Sequence, residues 1–320
     1  MATAIAIAAI CPCTLSLTGC GGAEEALRVT VSVPPQVWLV KKIAPAGVEV
    51  EALVGPGDDP HSFTPSDRQI TRAMRSAFFV RIGAPFEQGP WFQSLSESGK
   101  VKMIDGLDKM QLRNAEPHAH DEPGHEPGEH HDHHEHAGHD PSAHAHGGHA
   151  HEHEHEELDT HVWLSPRLLK IQARTIADAL GDKLPERKDE IEKHFDAFVG
   201  EMNALDAEVR ATLDPLTDRA FYVYHPAWGY FADEYDLTQI AIEREGKAPT
   251  EQQLTAFQDE AKQAGAKVIF IQPQRNDAAA KSIAKAIGGR VEMLDPLKEN
   301  VAENLRAAAK ALAALENSKH

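Results

Sequence analysis

Short apolar runs rich in β-branched residues alternate with amphipathic helical runs, and the series occurs twice in this chain of 320 residues. In the first half, "LRVTVSV" (27–33) predicts a strand and "PPQVWLVKKIA" (34–44) a helix. That helix opens on proline, which is tolerated in a first turn because the N–H it lacks would find no partner there. Strand "VEVEALV" (48–54), helix "SDRQITRAMRS" (66–76) with Ser66 as N-cap, and strands "AFFVRIG" (77–83) and "KVKMID" (100–105) follow. "SPRLLKIQARTIADALGDKL" (165–184) is again a capped helix. In the second half, strands at 220–225, 237–243, 267–272 and 290–295 alternate with helices from 227 and at 250–264, 277–287 and 299–315. Strands separated by helices run parallel, so each series predicts a parallel sheet flanked by helices.

Between the two series, residues 185–213 keep apolar side chains at helical spacing. At 1.5 Å per residue such a helix would reach roughly 42 Å, about the length of a domain. The expected architecture is therefore α/β with two lobes, 27–184 and 215–320, joined by one long rigid helix over 185–214. His194 falls on a mostly polar face of that helix and is expected to be solvated.

One stretch breaks the pattern. Residues 116–157 hold 15 of the 20 histidines and 12 acidic residues, with no Lys, Arg or aromatic side chain. Such a segment cannot bury enough surface to offset the entropy of ordering it, which predicts a disordered His-rich loop inserted in the first lobe. In "HHDHHEH" and "HAHEHEHEE", His130, His131, His133, His134, His136, His151, His153 and His155 are spaced so that neighbours can share a passing cation. They form a candidate auxiliary metal-binding loop, weaker than a fixed site because each binding event must order chain. The segment carries −12 of the formal charge of −18, which leaves only −6 elsewhere and no basic stripe. Nucleic acid is therefore excluded as a partner.

Near the start, "ATAIAIAAI" (2–10) is apolar but too short to span a bilayer, and it leads to "LTGC" (17–20). This resembles the lipobox of bacterial lipoproteins, which implies a signal peptide over 1–19, lipidation of Cys20 and a lipid-anchored linker over 20–26. The first basic residue is Arg28, after the apolar run, which departs from that pattern. Cys11 and Cys13 would leave with the signal peptide, so no disulfide framework or thiolate metal site is expected.

Three histidines stand apart from the loop: His61 in "GPGDDPHSFTPSD", His161 in "LDTHVWLSP" and His225 in "VYHPAWGYFADEYDL". Asp295 in "VEMLDPL" ends the last strand. Ligands of open α/β sheets bind beyond the carboxyl ends of strands, and each of these residues is placed in such a connection. Singly, each reads as a turn residue. Together, beside a segment suited to holding cations, they read as one metal site, with Phe63, Trp163 and Trp228 packed around it to keep it dry.

With "IFIQPQ" (269–274) added, these segments resemble the substrate-binding proteins of bacterial zinc and manganese ABC importers, the periplasmic zinc-uptake type in particular. The resemblance implies two lobes joined by a rigid helix, a metal held between them, and delivery to a membrane permease of an ABC importer. His61, His161 and His225 match that family's three ligand histidines. The fourth ligand would be Asp295, or a carboxylate near the first histidine, where Pro60 leaves only Asp58 or Asp59, or a water. Manganese-binding members carry a carboxylate at the third position, where this chain has His225. Three imidazoles and one carboxylate suit four-coordinate Zn²⁺ better than Mn²⁺. The expectation is a monomeric, lipid-anchored protein of the periplasm or the outer face of the cytoplasmic membrane that carries Zn²⁺. The alternatives are another divalent cargo and a surface zinc buffer or adhesin. A zinc hydrolase is disfavoured, since none of the three isolated histidines belongs to an HExxH pair or has a glutamate beside it in sequence to act as general base.

Overall fold

The computed structural model describes residues 26–115, 158–243, 249–274 and 278–317. The expected signal peptide, Cys20 and the His-rich segment with its candidate ligands lie outside the described residues. The first lobe runs β1 (Leu27–Val31), α1 (Pro34–Ile43), β2 (Val48–Ala52), α2 (Asp67–Ala73), β3 (Phe78–Arg81), α3 (Pro90–Glu97), β4 (Lys102–Asp105) and α4 (Pro166–Lys183). After α5 (Lys188–Leu213), the second runs β5 (Ala220–Val223), α6 (Gly229–Glu234), β6 (Thr238–Ala241), α7 (Glu251–Gln263), β7 (Val268–Ile271), α8 (Ala278–Ala286), β8 (Arg290–Met293) and α9 (Val301–Asn317).

Both sheets are parallel and share one winding order, β2-β1-β3-β4 and β6-β5-β7-β8. Winding reverses between β1 and β3 and between β5 and β7, which opens a crevice at the C-terminal strand ends of each lobe. Local chemistry explains the element starts. Ser66 and Gln69 cap α2 reciprocally, Thr250 and Gln253 do the same for α7, and Ser165 Oγ accepts from Leu168 N at the start of α4. β7, Val-Ile-Phe-Ile, is buried along its whole length, as a central strand covered on both faces must be.

The expected strut is α5, 26 residues long, preceded by a 3-10 turn at Pro185–Arg187 where a continuous helix was expected. Leu184, at φ −127° and ψ 63°, ends α4 and sets the turn apart. Helix α3 was not anticipated, because it is short and opens on a Gly-Pro pair that reads as a turn. The buried face of α5 comprises Ile191, Phe198, Met202, Leu205, Val209 and Leu213. It belongs to one apolar cluster that runs from Val29 and Leu39 in the first lobe to Phe231 and Leu305 in the second. A separate cluster, with Phe257, Ile269 and Ile283, covers the other face of the second sheet. His194 is half-buried, and its Nδ1 donates to the Ile43 carbonyl 3.2 Å away at the end of α1, so it braces the strut where solvation was expected.

In the first crevice Glu87 ties β1 to β3. Its Oε1 accepts from Ile82 N at 3.0 Å and from the Ser32 hydroxyl, and its Oε2 from Gly83 N at 2.7 Å. Burial pushes the carboxyl above its ordinary value, more than the bonds from Ser32, Ile82 and Gly83 pull it down. A folded-state value raised in this way adds stability that is complete below the unfolded value and is lost as pH rises through the folded one. Glu87→Gln, neutral throughout, should flatten the pH dependence of unfolding as pH rises above about 4, as measured by denaturant titration. A slope equal to wild type would mean that the Glu87 carboxyl titrates alike in the folded and unfolded chains.

Phe198, 1% exposed and edge-on to Trp38 at 5.7 Å, lies in the shared cluster. Phe198→Ala should cost about 3–5 kcal/mol. Because the cluster spans both lobes, circular dichroism and tryptophan fluorescence should lose their signals at one denaturant concentration. Two separated transitions would show that the lobes are stabilised independently.

Candidate metal centre

The three isolated histidines meet. One ligand nitrogen from each of His61, His161 and His225 lies within 4.8 Å of the others. Their ring centroids are 4.7 Å apart for His61 and His225, 5.3 Å for His161 and His225, and 6.1 Å for His61 and His161. Tetrahedral coordination at 2.0–2.1 Å from each nitrogen would place them about 3.4 Å apart, so side-chain shifts on the order of 1 Å complete the grip.

Each ring is placed by different local chemistry. His61 sits in the connection from β2 to α2, where Asp59 Oδ1 accepts from His61 N at 3.0 Å and Asp58 Oδ2 accepts from Gly55 N at 3.1 Å. Both of these aspartates thus have a turn-forming role. His161 precedes a 3-10 turn at Val162–Leu164, and Asp159 Oδ1 accepts from both its backbone N, at 2.9 Å, and its Nδ1, at 2.8 Å. His225 lies two residues past β5, and its Nδ1 donates to Glu243 Oε2 at 2.8 Å with both side chains at most 3% exposed. The register of β5 on β6 pairs Val223 with Ala241 and continues beyond the strands through Glu243 N to Tyr224 O, which sets Glu243 beside His225.

The His161 and His225 rings are therefore each backed by a carboxylate on Nδ1, which orients the ring, leaves Nε2 to bind and raises its donor strength. Sequence reasoning missed both carboxylates. Asp159 was legible in principle from the D-x-H spacing, whereas Glu243 is 18 residues from its histidine and is delivered only by strand register. No glutamate neighbours these histidines in sequence, but the sheet brings Glu243 against His225. Tyr230 was also missed: its hydroxyl donates to Asp159 O at 2.7 Å and accepts from Arg113 N at 3.1 Å. Burial pushes that phenol up to about 12, so it remains a donor.

Asp295 follows β8 at the C-terminal end of the second sheet but is not in the group of three. Its Oδ1 accepts from Leu297 N and Gln274 Nε2, both at 2.9 Å, and its carbonyl accepts from Asn304 Nδ2 at 2.7 Å. Next to it, Trp163 Nε1 donates to Pro296 O at 2.7 Å, which fastens the His161 connection to the second lobe. The Trp163 ring, 2% exposed, lies edge-on to His161 at 5.3 Å. Phe63 packs on Phe86 at 5.4 Å, and Trp228 is buried against Phe231, so aromatic side chains flank the triad from both lobes.

Asp159→Asn and Glu243→Gln should each weaken a divalent ion held by the backed ring by about 10- to 100-fold, as read by chelator competition. Equal affinity in both variants would mean that the rings need no carboxylate to orient them.

Comparison with known proteins agrees with this geometry. A family model described as "Zinc-uptake complex component A periplasmic" matches residues 29–315. The zinc-binding lipoprotein AdcA of Streptococcus pneumoniae (strain ATCC BAA-334 / TIGR4) is 27% identical over 315 residues, covering 96% of this chain and 58% of that protein. This chain thus spans little more than half the length of that relative. A crystal structure of ZnuA is 33% identical with a TM-score of 0.75, over 90% of this chain and 98% of that one. A ZnuA deletion mutant with zinc bound is 34% identical with a TM-score of 0.74, over 90% and 97%.

Proposed function

Because the chain belongs to the family of the periplasmic component A of zinc-uptake complexes, which matches it over residues 29–315, we propose that it captures Zn²⁺ outside the cytoplasm and passes it to an ABC permease. The observation that carries this reading is the approach of His61, His161 and His225, from connections of both lobes, to within 4.8 Å. Neutral imidazoles favour Zn²⁺, while Mn²⁺ favours oxygen donors and six-fold geometry. Asp295 is the fourth ligand in this reading. It leaves the same strand ends as His225, on the lobe that contributes only one histidine to the triad. Asp58 and Asp59 each spend one oxygen on turn backbone, as Asp295 does, so the preference for Asp295 rests on its place at the strand ends of the second lobe.

A site closed by four protein groups holds its ion and offers no position for a reacting water. Asp159 and Glu243 engage Nδ1, on the opposite edge of each ring from Nε2, so neither is placed as a general base for such a water. The proposal is therefore a carrier with Zn²⁺ as cargo, acting as a monomer and held at the membrane through Cys20. The histidines between 116 and 157 act as a lower-affinity collector of the same ion.

The test is zinc titration of the full chain under chelator competition. His225→Ala should abolish the tightest class of site, Asp295→Asn should weaken it by at least about tenfold, and zinc-limited growth should fail with His225→Ala. Tight binding that survives His225→Ala would refute the triad as the cargo site. An Asp295→Asn variant with wild-type affinity would return the fourth position to water or to Asp58 or Asp59.

A further inference from the structure

The Arg113 guanidinium stands against Asp159, one of the two carboxylates that back the triad. Arg113 lies three residues before the stretch 116–157 begins, and Asp159 lies just after that stretch ends. Asp159 N donates to Arg113 O at 3.0 Å, and Asn114 and Leu158 form an antiparallel bridge beside them. The Arg113 side chain, 22% exposed, reaches toward the second lobe. Its Nε pairs with Asp233 of α6 at 3.2 Å, and its Nη1 stands 3.5 Å from Asp159 Oδ2. Nη1 is buried and makes no hydrogen bond among the described residues. It also fills the space beside Gly229, where a Cβ would lie 1.2 Å from it, so only glycine admits the guanidinium there.

Orientation does not explain this arrangement. Asp159 Oδ1 is already fixed by two bonds from His161, and the Asp159 backbone is fixed at N by Arg113 O and at O by Tyr230. A long, poorly aligned pair at 3.5 Å adds little to that. What Arg113 adds is charge. A carboxylate on Nδ1 strengthens the ring as a donor. A largely buried cation on the other oxygen of that carboxylate withdraws part of the effect, and it also repels a dication directly in a medium that screens poorly.

Resting on the reading of the triad as the zinc site, we propose that Arg113 acts through Asp159 to lower the zinc affinity of His161 and so keeps the captured ion releasable. Asp233, on the second lobe and 59% exposed, is the counter-charge that limits this effect. Arg113 is thus a positioning residue that places charge, and the strength of the site depends on a contact between the lobes at the root of the 116–157 stretch.

The experiment uses the full chain with zinc below one equivalent, so that only the tightest class of site fills, and reads affinity and release rate against a chelator. Arg113→Gln should bind zinc roughly tenfold tighter and release it more slowly, a direction that damage to the fold would not produce. Arg113→Lys, which keeps the charge, should restore most of the wild-type affinity. Asp233→Asn should loosen zinc when Arg113 is present and have no effect in the Arg113→Gln background. Unchanged or weaker zinc in a folded Arg113→Gln, or an Asp233→Asn effect equal in both backgrounds, overturns the proposal. Should Arg113→Gln fail to fold, Asp233→Asn alone decides, since unchanged affinity there overturns it as well. His225→Ala separates this inference from the reading beneath it: if the tightest class survives that change, the site itself is misassigned and the role of Arg113 falls with it.

Discussion

Packing of α5 against α1 and α4 on one side and α9 on the other holds the two sheets with their C-terminal strand ends toward a common cleft, and the distances among the three imidazoles depend on it. No pair of these histidines is close in sequence. His61 and His225 are 164 residues apart, yet their rings come within 4.7 Å because each connection starts from a sheet whose place is fixed by the strut. The triad is thus a property of the tertiary fold, and any motion that separated the lobes would dismantle it.

Which contacts resist that separation can be judged by magnitude. Lys41–Glu299 joins the lobes and Arg306–Glu208 ties α9 to the strut, but both pairs are substantially exposed, and such bridges contribute about 0–1 kcal/mol. The cluster that passes through Phe198, Met202 and Leu205 is fully desolvated, and each large side chain in it is worth several times as much. Trp163 Nε1 to Pro296 O adds a buried link at the cleft itself, and Ser165 Oγ to Glu234 a part-buried one. Burial pushes the Glu234 carboxyl up, so opening this seam would expose a group adapted to a dry setting. Exchange of an ion therefore falls to the connections that carry the rings. The one bearing His61 is the most exposed of the three, with Gly57 at φ +88° and exposed residues on either side of it.

Much of this was legible in the sequence, and what was not has a common cause. Strand and helix periodicity located all eight strands within a few residues: β3, β5 and β7 are nearly unbroken apolar runs, and β1 and β2 alternate apolar with polar residues. The two-lobe architecture followed from the repeated alternation and the long amphipathic run. The histidines were identifiable because each is isolated in a connection at a strand end. Glu243 was invisible because its relation to His225 is one of strand register, and sequence does not give the pairing offset of β5 on β6. Arg113 reads as an ordinary polar residue in a turn until Gly229, from the other lobe, is seen to leave room for it. Asp295 was legible as a strand-end carboxylate, but not the hydrogen bonds from Leu297 and Gln274 that fix one of its oxygens.

The two backed rings are not equivalent, and the difference follows from where their carboxylates sit. Glu243 lies 2% exposed beside His225, inside the second sheet's crevice and tied to it by strand register. Asp159 lies in the seam, between a ring of the first lobe and a guanidinium that also answers to Asp233 of the second. A small displacement of one lobe against the other leaves the first pair intact, since strand register holds both its members in one sheet, and alters the second, because Asp159 has partners on both sides. In a molecule whose shared core forbids wide opening, that asymmetry gives a way to change how firmly an ion is held without unpacking anything: His225 stays a fixed donor while the strength of His161 follows the seam.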